Sequence, residues 1–119
     1  MNSLEIRTAR ENAQNLFKKC SPIFLVLGDY VRQKLLLDIS DGGEDGVNIA
    51  SLTEQTNLSR PAVAYHLKML KDCGLIKTSK KGAQVFYFLN LEEKFSLITG
   101  LVEQMQKLVI MKNKQQANC

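Results

Sequence analysis

Between Ser59 and Lys81 the chain carries six cations, Arg60, Lys68, Lys71, Lys77, Lys80 and Lys81, against one acid, Asp72. The rest of the chain holds ten Lys and Arg against eleven Asp and Glu. The positive charge is therefore concentrated in one stretch, and the chemistry it offers is charge pairing with a polyanion. Arg60 adds a planar fork of donors that matches a phosphate or the acceptor edge of guanine. Tyr65 adds a ring and a hydroxyl that can meet a phosphate or a thymine methyl. Covalent chemistry is absent from the same inventory. His66 is the single histidine and has no second ligand candidate beside it, so it makes no zinc site. It reads as a structural partner of a backbone group. No Ser-His-Asp set, nucleotide loop or carboxylate pair on a shared motif is present, which excludes the common enzyme classes.

The three cysteines, Cys20, Cys73 and Cys119, are odd in number, and none has C-x-x-C spacing. Met1 to Lys19 is polar and charged rather than an apolar leader. The longest apolar run, Ile23–Leu27, is too short to span a bilayer. These features point to the reducing cytoplasm with no membrane partner. Cys73, beside Gly74, offers a thiol whose oxidation would disturb the helix before it, although a small hydrophobe in the core is the simpler role. A chain of 119 residues with 45% hydrophobic content can bury one core while leaving much surface exposed.

The elements that must position Arg60 and the lysines follow from periodicity. Leu4, Ala9, Ala13, Leu16 and Phe17 suit one face of a first helix, which Ser21-Pro22 interrupts. Asp29 is placed to cap a helix lined by Val31, Leu35, Leu36 and Ile39. The acidic, glycine-rich Ser40–Gly46 is a loop. A short helix is expected from Ile49 to about Thr56, then a turn at Asn57-Leu58. Ser59 caps a second helix, with Pro61 in its first turn where a missing N–H is harmless. Val63, Leu67 and Leu70 form its inward stripe; Arg60, Ala64, Tyr65, Lys68 and Lys71 fall off that stripe, and Gly74 ends it. Leu75–Thr78 and Val85–Leu89 read as strands around a Ser79–Ala83 loop that carries Lys80 and Lys81 near its tip. Asn90 and Glu93 resemble a capping box for a last helix, whose apolar stripe is Phe95, Ile98, Leu101, Val102, Met105, Leu108 and Val109.

Two short helices with a tight turn, followed at once by a hairpin, form a winged helix-turn-helix: mostly α with a small β-hairpin wing. The second helix of the turn fits the major groove of B-DNA. Ser59, Arg60, Pro61, Ala64 and Tyr65 lie at its open end. Lys80 and Lys81 would reach the backbone or minor groove, and Lys68, Lys71 and Lys77 would add charge without sequence preference. A protein–protein interaction module is the alternative use of this layout, but it has no need of Arg60, Lys68, Lys80 and Lys81 on one side.

The segment Leu58–Ile76, L-S-R-P-A-V-A-Y-H-L-K-M-L-K-D-C-G-L-I, resembles the recognition-helix signature of the ArsR-type regulators. Gly82–Leu89 is similar to the second half of their wing. Leu27–Ile39 is similar to their early core helix, with Tyr30 where a proline is expected. The resemblance implies one winged-helix domain over 1–119, with the helix-turn-helix at about 48–74 and the wing at about 75–89. It also implies dimerisation helices at about 4–19 and 91–112, and a homodimeric repressor facing a palindromic operator. Ser59, Arg60, Pro61, Ala64 and Tyr65 match the family's DNA-reading positions. The family's metal sites do not carry over. Its thiolate positions are Asn48 and Ala50 here, and its other site falls on Leu91, Glu93, Gln104 and Lys107, of which only Glu93 could bind a metal. No metal or other cofactor is expected; the effector and the roles of Cys20, Cys73 and Cys119 stay open.

Overall fold

The computed structural model describes residues 3–117. Two compact units form: one from the residues up to Pro22 together with those from Glu93 on, the other from Ile23–Glu92.

In the first unit, the N-terminal part of helix α1 (Ser3–Leu27) packs on helix α5 (Glu92–Ala117). Within this unit the buried positions of α1 are Ile6, Ala9, Ala13 and Cys20, with Leu16 half-buried. The spacing of three and four is the one expected, but the stripe differs at its edges: Leu4 and Phe17 are exposed. On α5, Leu101 and Met111 are buried and Leu97, Gln104 and Leu108 half-buried. Ile6 and Ala9 meet Met111 and Leu108.

The break expected at Ser21-Pro22 does not occur, and α1 runs through it. Pro22 removes one helical hydrogen bond and crowds the preceding turn, a loss of about 3 kcal/mol. Burial of Cys20, Ile23 and Val26 on either side offsets it. The Ser21 hydroxyl donates to the Phe17 carbonyl at 2.7 Å, which ties down the turn before the proline.

The second unit contains α2 (Tyr30–Ser40), a short 3₁₀ turn (Gly43–Asp45), β1 (Val47–Asn48), α3 (Ile49–Glu54), α4 (Arg60–Asp72), β2 (Ile76–Lys81) and β3 (Gln84–Leu89). Its core is Leu35, Ile39, Leu52, Val63, Leu67, Leu70, Leu75 and Ile76. Each such side chain contributes about 1.5–3 kcal/mol by leaving water. The helix starts are fixed by side-chain caps. Asp29 Oδ1 accepts from the N–H groups of Val31 and Arg32 at 2.9 and 3.1 Å. Asn48 Oδ1 accepts from Ser51 at 2.9 Å, and Ser59 Oγ from Ala62 at 3.3 Å. Helix α4 closes with paired bonds from Gly74 to the Lys71 carbonyl and from Leu75 to the Leu70 carbonyl, 2.9 and 3.0 Å. This closure requires the left-handed Gly74, φ 82°.

Asp29→Ala is expected to lower stability by about 1 kcal/mol near neutral pH. The hydrogen bond from the Arg32 backbone N–H holds the Asp29 carboxyl below its ordinary pKa; burial opposes this and the charge of Arg32 adds to it. A depressed folded-state pKa gives stability that is present above the unfolded-state value and lost as pH falls through the folded one. Thermal melts of wild type and variant should therefore differ at neutral pH and converge in strong acid.

The wing departs from expectation in two ways. The strands run through most of the expected Ser79–Ala83 loop, leaving a two-residue turn at Gly82-Ala83 with Lys81 opposite Gln84. Gly82 has φ 65° and Ala83 does not share the positive sign, the pattern of a type II′ turn that matches strand twist. The hairpin is also part of a three-stranded antiparallel sheet of order β1-β3-β2, with Val47 opposite Tyr87. Asn90 does not cap α5, which starts at Glu92; its side chain instead donates to the Gly74 carbonyl at 3.2 Å, bracing the start of the wing.

Candidate nucleic-acid interface

Helix α4 presents two unlike faces. Val63, Leu67 and Leu70 are buried, whereas Arg60, Pro61, Ala64, Tyr65, Lys68 and Lys71 are exposed. Tyr65 stands 60% exposed, far more than packing would ask of an aromatic ring. Ser59 is exposed too, although its hydroxyl serves the helix cap. Pro61 and Ala64 keep the surface low between Arg60 and Tyr65, which lets the backbone approach a partner closely.

Strand parity then sorts the wing lysines. Register places Ile76, Thr78 and Lys80 on one face with Val85, Tyr87 and Leu89, and Lys77, Ser79 and Lys81 on the other with Phe86 and Phe88. The first face looks onto α4. Lys80, Thr78, Val85 and Tyr87 line an open groove of about 420 Å³ whose other wall is Ala64, Leu67, Lys68 and Lys71. Three of the expected cations thus share one groove. Lys81 does not join them: its Nζ donates to the Asp45 carbonyl at 3.3 Å and lies 5.1 Å from the Phe86 ring centroid and 5.8 Å from that of Phe88. Lys68 is also engaged, in an exposed ion pair with Asp72 at 2.7 Å. The hydrogen bond with Asp72 and its charge raise the Lys68 pKa.

Arg60 lines a second groove, of about 270 Å³, with Asn48, Ile49 and Ala50 at the start of α3 and Ala83, Gln84, Val85 and Tyr87 of the wing. Asn48 Nδ2 donates to Gln84 Oε1 at 3.4 Å, so the residue that caps α3 also tethers the wing tip. Tyr87 borders both grooves and was not among the expected site residues; its parity with Lys80 is the signal that would have found it. His66 corrects another expectation. Its partner is a side chain, Arg32, 3.1 Å from Nδ1, rather than a backbone group.

Among the described residues no group of three His, Cys, Asp or Glu side chains is close enough to hold a metal ion. No described helix is long and apolar enough to cross a membrane. Cys20 is buried and Cys73 half-buried; Cys119 lies outside the described residues.

The model of the family described as bacterial regulatory protein, arsR family, matches residues 35–78, from α2 into β2. The arsenical resistance operon repressor of Staphylococcus xylosus is 36% identical over 76 residues, which cover 64% of this chain and 70% of that relative. The transcriptional repressor SdpR of Bacillus subtilis is 32% identical over 68 residues, 57% of this chain and 72% of the relative. A solved ArsR family transcriptional regulator matches with a TM-score of 0.66 and 24% identity over 76% of this chain and 90% of its own, a likeness of fold. A shared recognition-helix segment, a shared fold and two relatives above 30% identity lead to one conclusion: the chain belongs to the ArsR family of DNA-binding transcriptional regulators and is not an enzyme.

Proposed function

We propose that the chain is a homodimeric repressor that acts in the cytoplasm on a palindromic operator. In this reading α4 enters the major groove, with Arg60 and Tyr65 at base edges and Ser59, Pro61 and Ala64 allowing close approach. Lys71, Lys80 and Lys68 hold the adjacent phosphate backbone. The observation that carries the reading is the groove where Lys68, Lys71 and Lys80 meet beside the exposed ring of Tyr65. Repression is supported by the Staphylococcus xylosus and Bacillus subtilis relatives, both repressors, and by the simple exclusion of other proteins from an occupied operator. Control without the family's metal sites is supported by Asn48, which is committed to the α3 cap and to Gln84, and by Ala50, which has no ligand atom.

The test is selection of the full chain against a random duplex library, followed by salt titration of the winning site. An enriched palindrome with half-sites roughly 34 Å apart, bound by two chains, is the expected result. No enrichment would count against the reading. The two wing lysines should also separate. Lys80→Ala is expected to weaken binding to all duplexes alike and to lower the slope of log K against log salt by about 0.9, the effect of one lost phosphate contact. Lys81→Ala should leave that slope unchanged, because Lys81 faces Asp45 and the Phe86 ring. Equal slopes for the two variants would remove Lys80 from the interface.

A further inference from the structure

Arg32 is buried, 8% exposed, on the first turn of α2. Among the described residues no carboxylate forms an ion pair with its guanidinium, although its charge acts on Asp29. Nε donates to the Val26 carbonyl at 2.6 Å and Nη2 to the Leu25 carbonyl at 3.4 Å, both at the end of α1. Nη1 donates to Met69 Sδ at 3.3 Å and lies 3.1 Å from His66 Nδ1. Met69 and His66 belong to α4, so this one side chain joins the end of α1 to the helix that carries Arg60 and Tyr65. The His66 ring meets that of Tyr65 edge-on, with centroids 5.4 Å apart.

Arginine has only donors and does not deprotonate in proteins. For this contact to be a hydrogen bond Nδ1 must accept, which requires a neutral imidazole with its proton on Nε2. A protonated ring has no lone pair to offer and would set a second cation against a buried guanidinium. Arg32 and the Asp29 carboxylate both act on the ring, and the attraction of Asp29 for an imidazolium would offset part of that repulsion without restoring the hydrogen bond. We propose that Arg32 is a positioning residue for the recognition helix. It holds α4 through a hydrogen bond that only neutral His66 can accept, so that protonation of His66 releases the helix and weakens operator binding.

The sign is what sets this apart from bulk electrostatics. A new cation on a DNA-binding protein strengthens its attraction to phosphates, whereas loss of this bond weakens binding. Imidazoles take up their proton between about pH 5 and 8, and one linked proton changes affinity by at most about tenfold per pH unit.

The inference rests on the DNA-reading role of α4, and the experiment has one arm that does not. Nitrogen NMR of the full chain, whose single histidine gives unambiguous ring signals, reads the tautomer; the expected state near neutral pH is Nε2–H. The second arm measures affinity for the selected operator at about pH 7.5 and about pH 5.5 at constant ionic strength. Wild type is expected to lose about tenfold on acidification. His66→Asn, which keeps an acceptor where Nδ1 stood and cannot titrate, should lose less than about twofold over the same interval. An Nδ1–H tautomer, or wild-type affinity that is flat or rising in acid, would overturn the proposal, as would parallel curves for the two proteins. If His66→Asn does not fold, the tautomer and the wild-type curve still decide it. Failure of wild type to bind any selected duplex at the higher pH would instead sink the operator reading, and the tautomer alone would then decide whether Arg32 holds α4 in this way.

Discussion

Val102→Glu is expected to convert the protein to a monomer and to lower its affinity for a palindromic operator by about 10²–10⁴-fold, the range over which linked binding sites exceed single ones. Positions 94, 97, 101, 104, 108 and 111 face inward, and Leu101 and Met111 among them are buried. A second stripe one residue further on, Phe95, Ile98, Val102, Met105 and Val109, has the same spacing; Ile98 is half-buried and the other four are exposed. Val102 is 48% exposed and Val109 56%. A single helix face needs only one such stripe for its own unit. An additional row of large apolar side chains is a surface that water disfavours and that a second copy can cover. Phe17 and Met105 border a groove of about 310 Å³ between α1 and α5 in the same unit, which gives the covering copy a place to insert. A carboxylate at Val102 would be buried unpaired in that interface, yet it would stand in water on an isolated chain. The variant should therefore keep its helical circular dichroism while sedimenting as a monomer. Binding to random duplex, which needs no second half-site, should fall far less than binding to the palindrome. A variant that stays dimeric, or a monomer with full operator affinity, would defeat the proposed assembly.

The parts of this architecture that were legible in the sequence are those fixed by local rules. Ser59, Pro61, the Val63-Leu67-Leu70 stripe and Gly74 each act within a few residues of themselves, and together they define α4 to within a residue. The parts that were not legible depend on contacts distant in sequence or on a choice of phase. The α1 stripe has the right spacing, but Leu4 sits two positions from buried Ile6 and Phe17 one from half-buried Leu16, and spacing alone does not say which of two neighbouring rows is inside. Pro22 breaks a helix on local grounds, and only the burial of its neighbours explains why α1 continues. A two-residue strand such as β1 has no period to detect. Arg32 and His66 are 34 residues apart in sequence, and nothing local marks them as partners.

Lys80 and Lys81 show how a strand boundary sorts neighbouring side chains. Taken as a flexible tip, both can reach a partner. Once β2 is seen to extend through Lys81, alternation forces them to opposite faces. One then joins Lys68 and Lys71, and the other returns to Asp45. Tyr87 borders the same groove for the same reason.

Arg60→Ala is expected to remove about 1–3 kcal/mol of discrimination at one base position, with little change in affinity for random DNA beyond one charge. Arg60 is the first residue of α4, where the open end of the helix also favours a phosphate. Among the described residues no side chain pairs with its guanidinium, in contrast to Lys68, held by Asp72, and Lys81, held by the Asp45 carbonyl. Its fork of donors is therefore available, and the groove it lines with Ala50 and Gln84 is open to solvent. Arg60→Lys separates charge from geometry. A lysine keeps the cation but loses the planar fork that matches guanine O6 and N7. If Arg60 reads a base, both variants should lose discrimination at the same position, and only the alanine variant should lower the salt slope. If Arg60 holds a phosphate, the lysine variant should behave as wild type and no single base position should lose its preference. Competition binding against duplexes with each operator base changed in turn distinguishes the two, because it reports preference position by position rather than affinity as a whole.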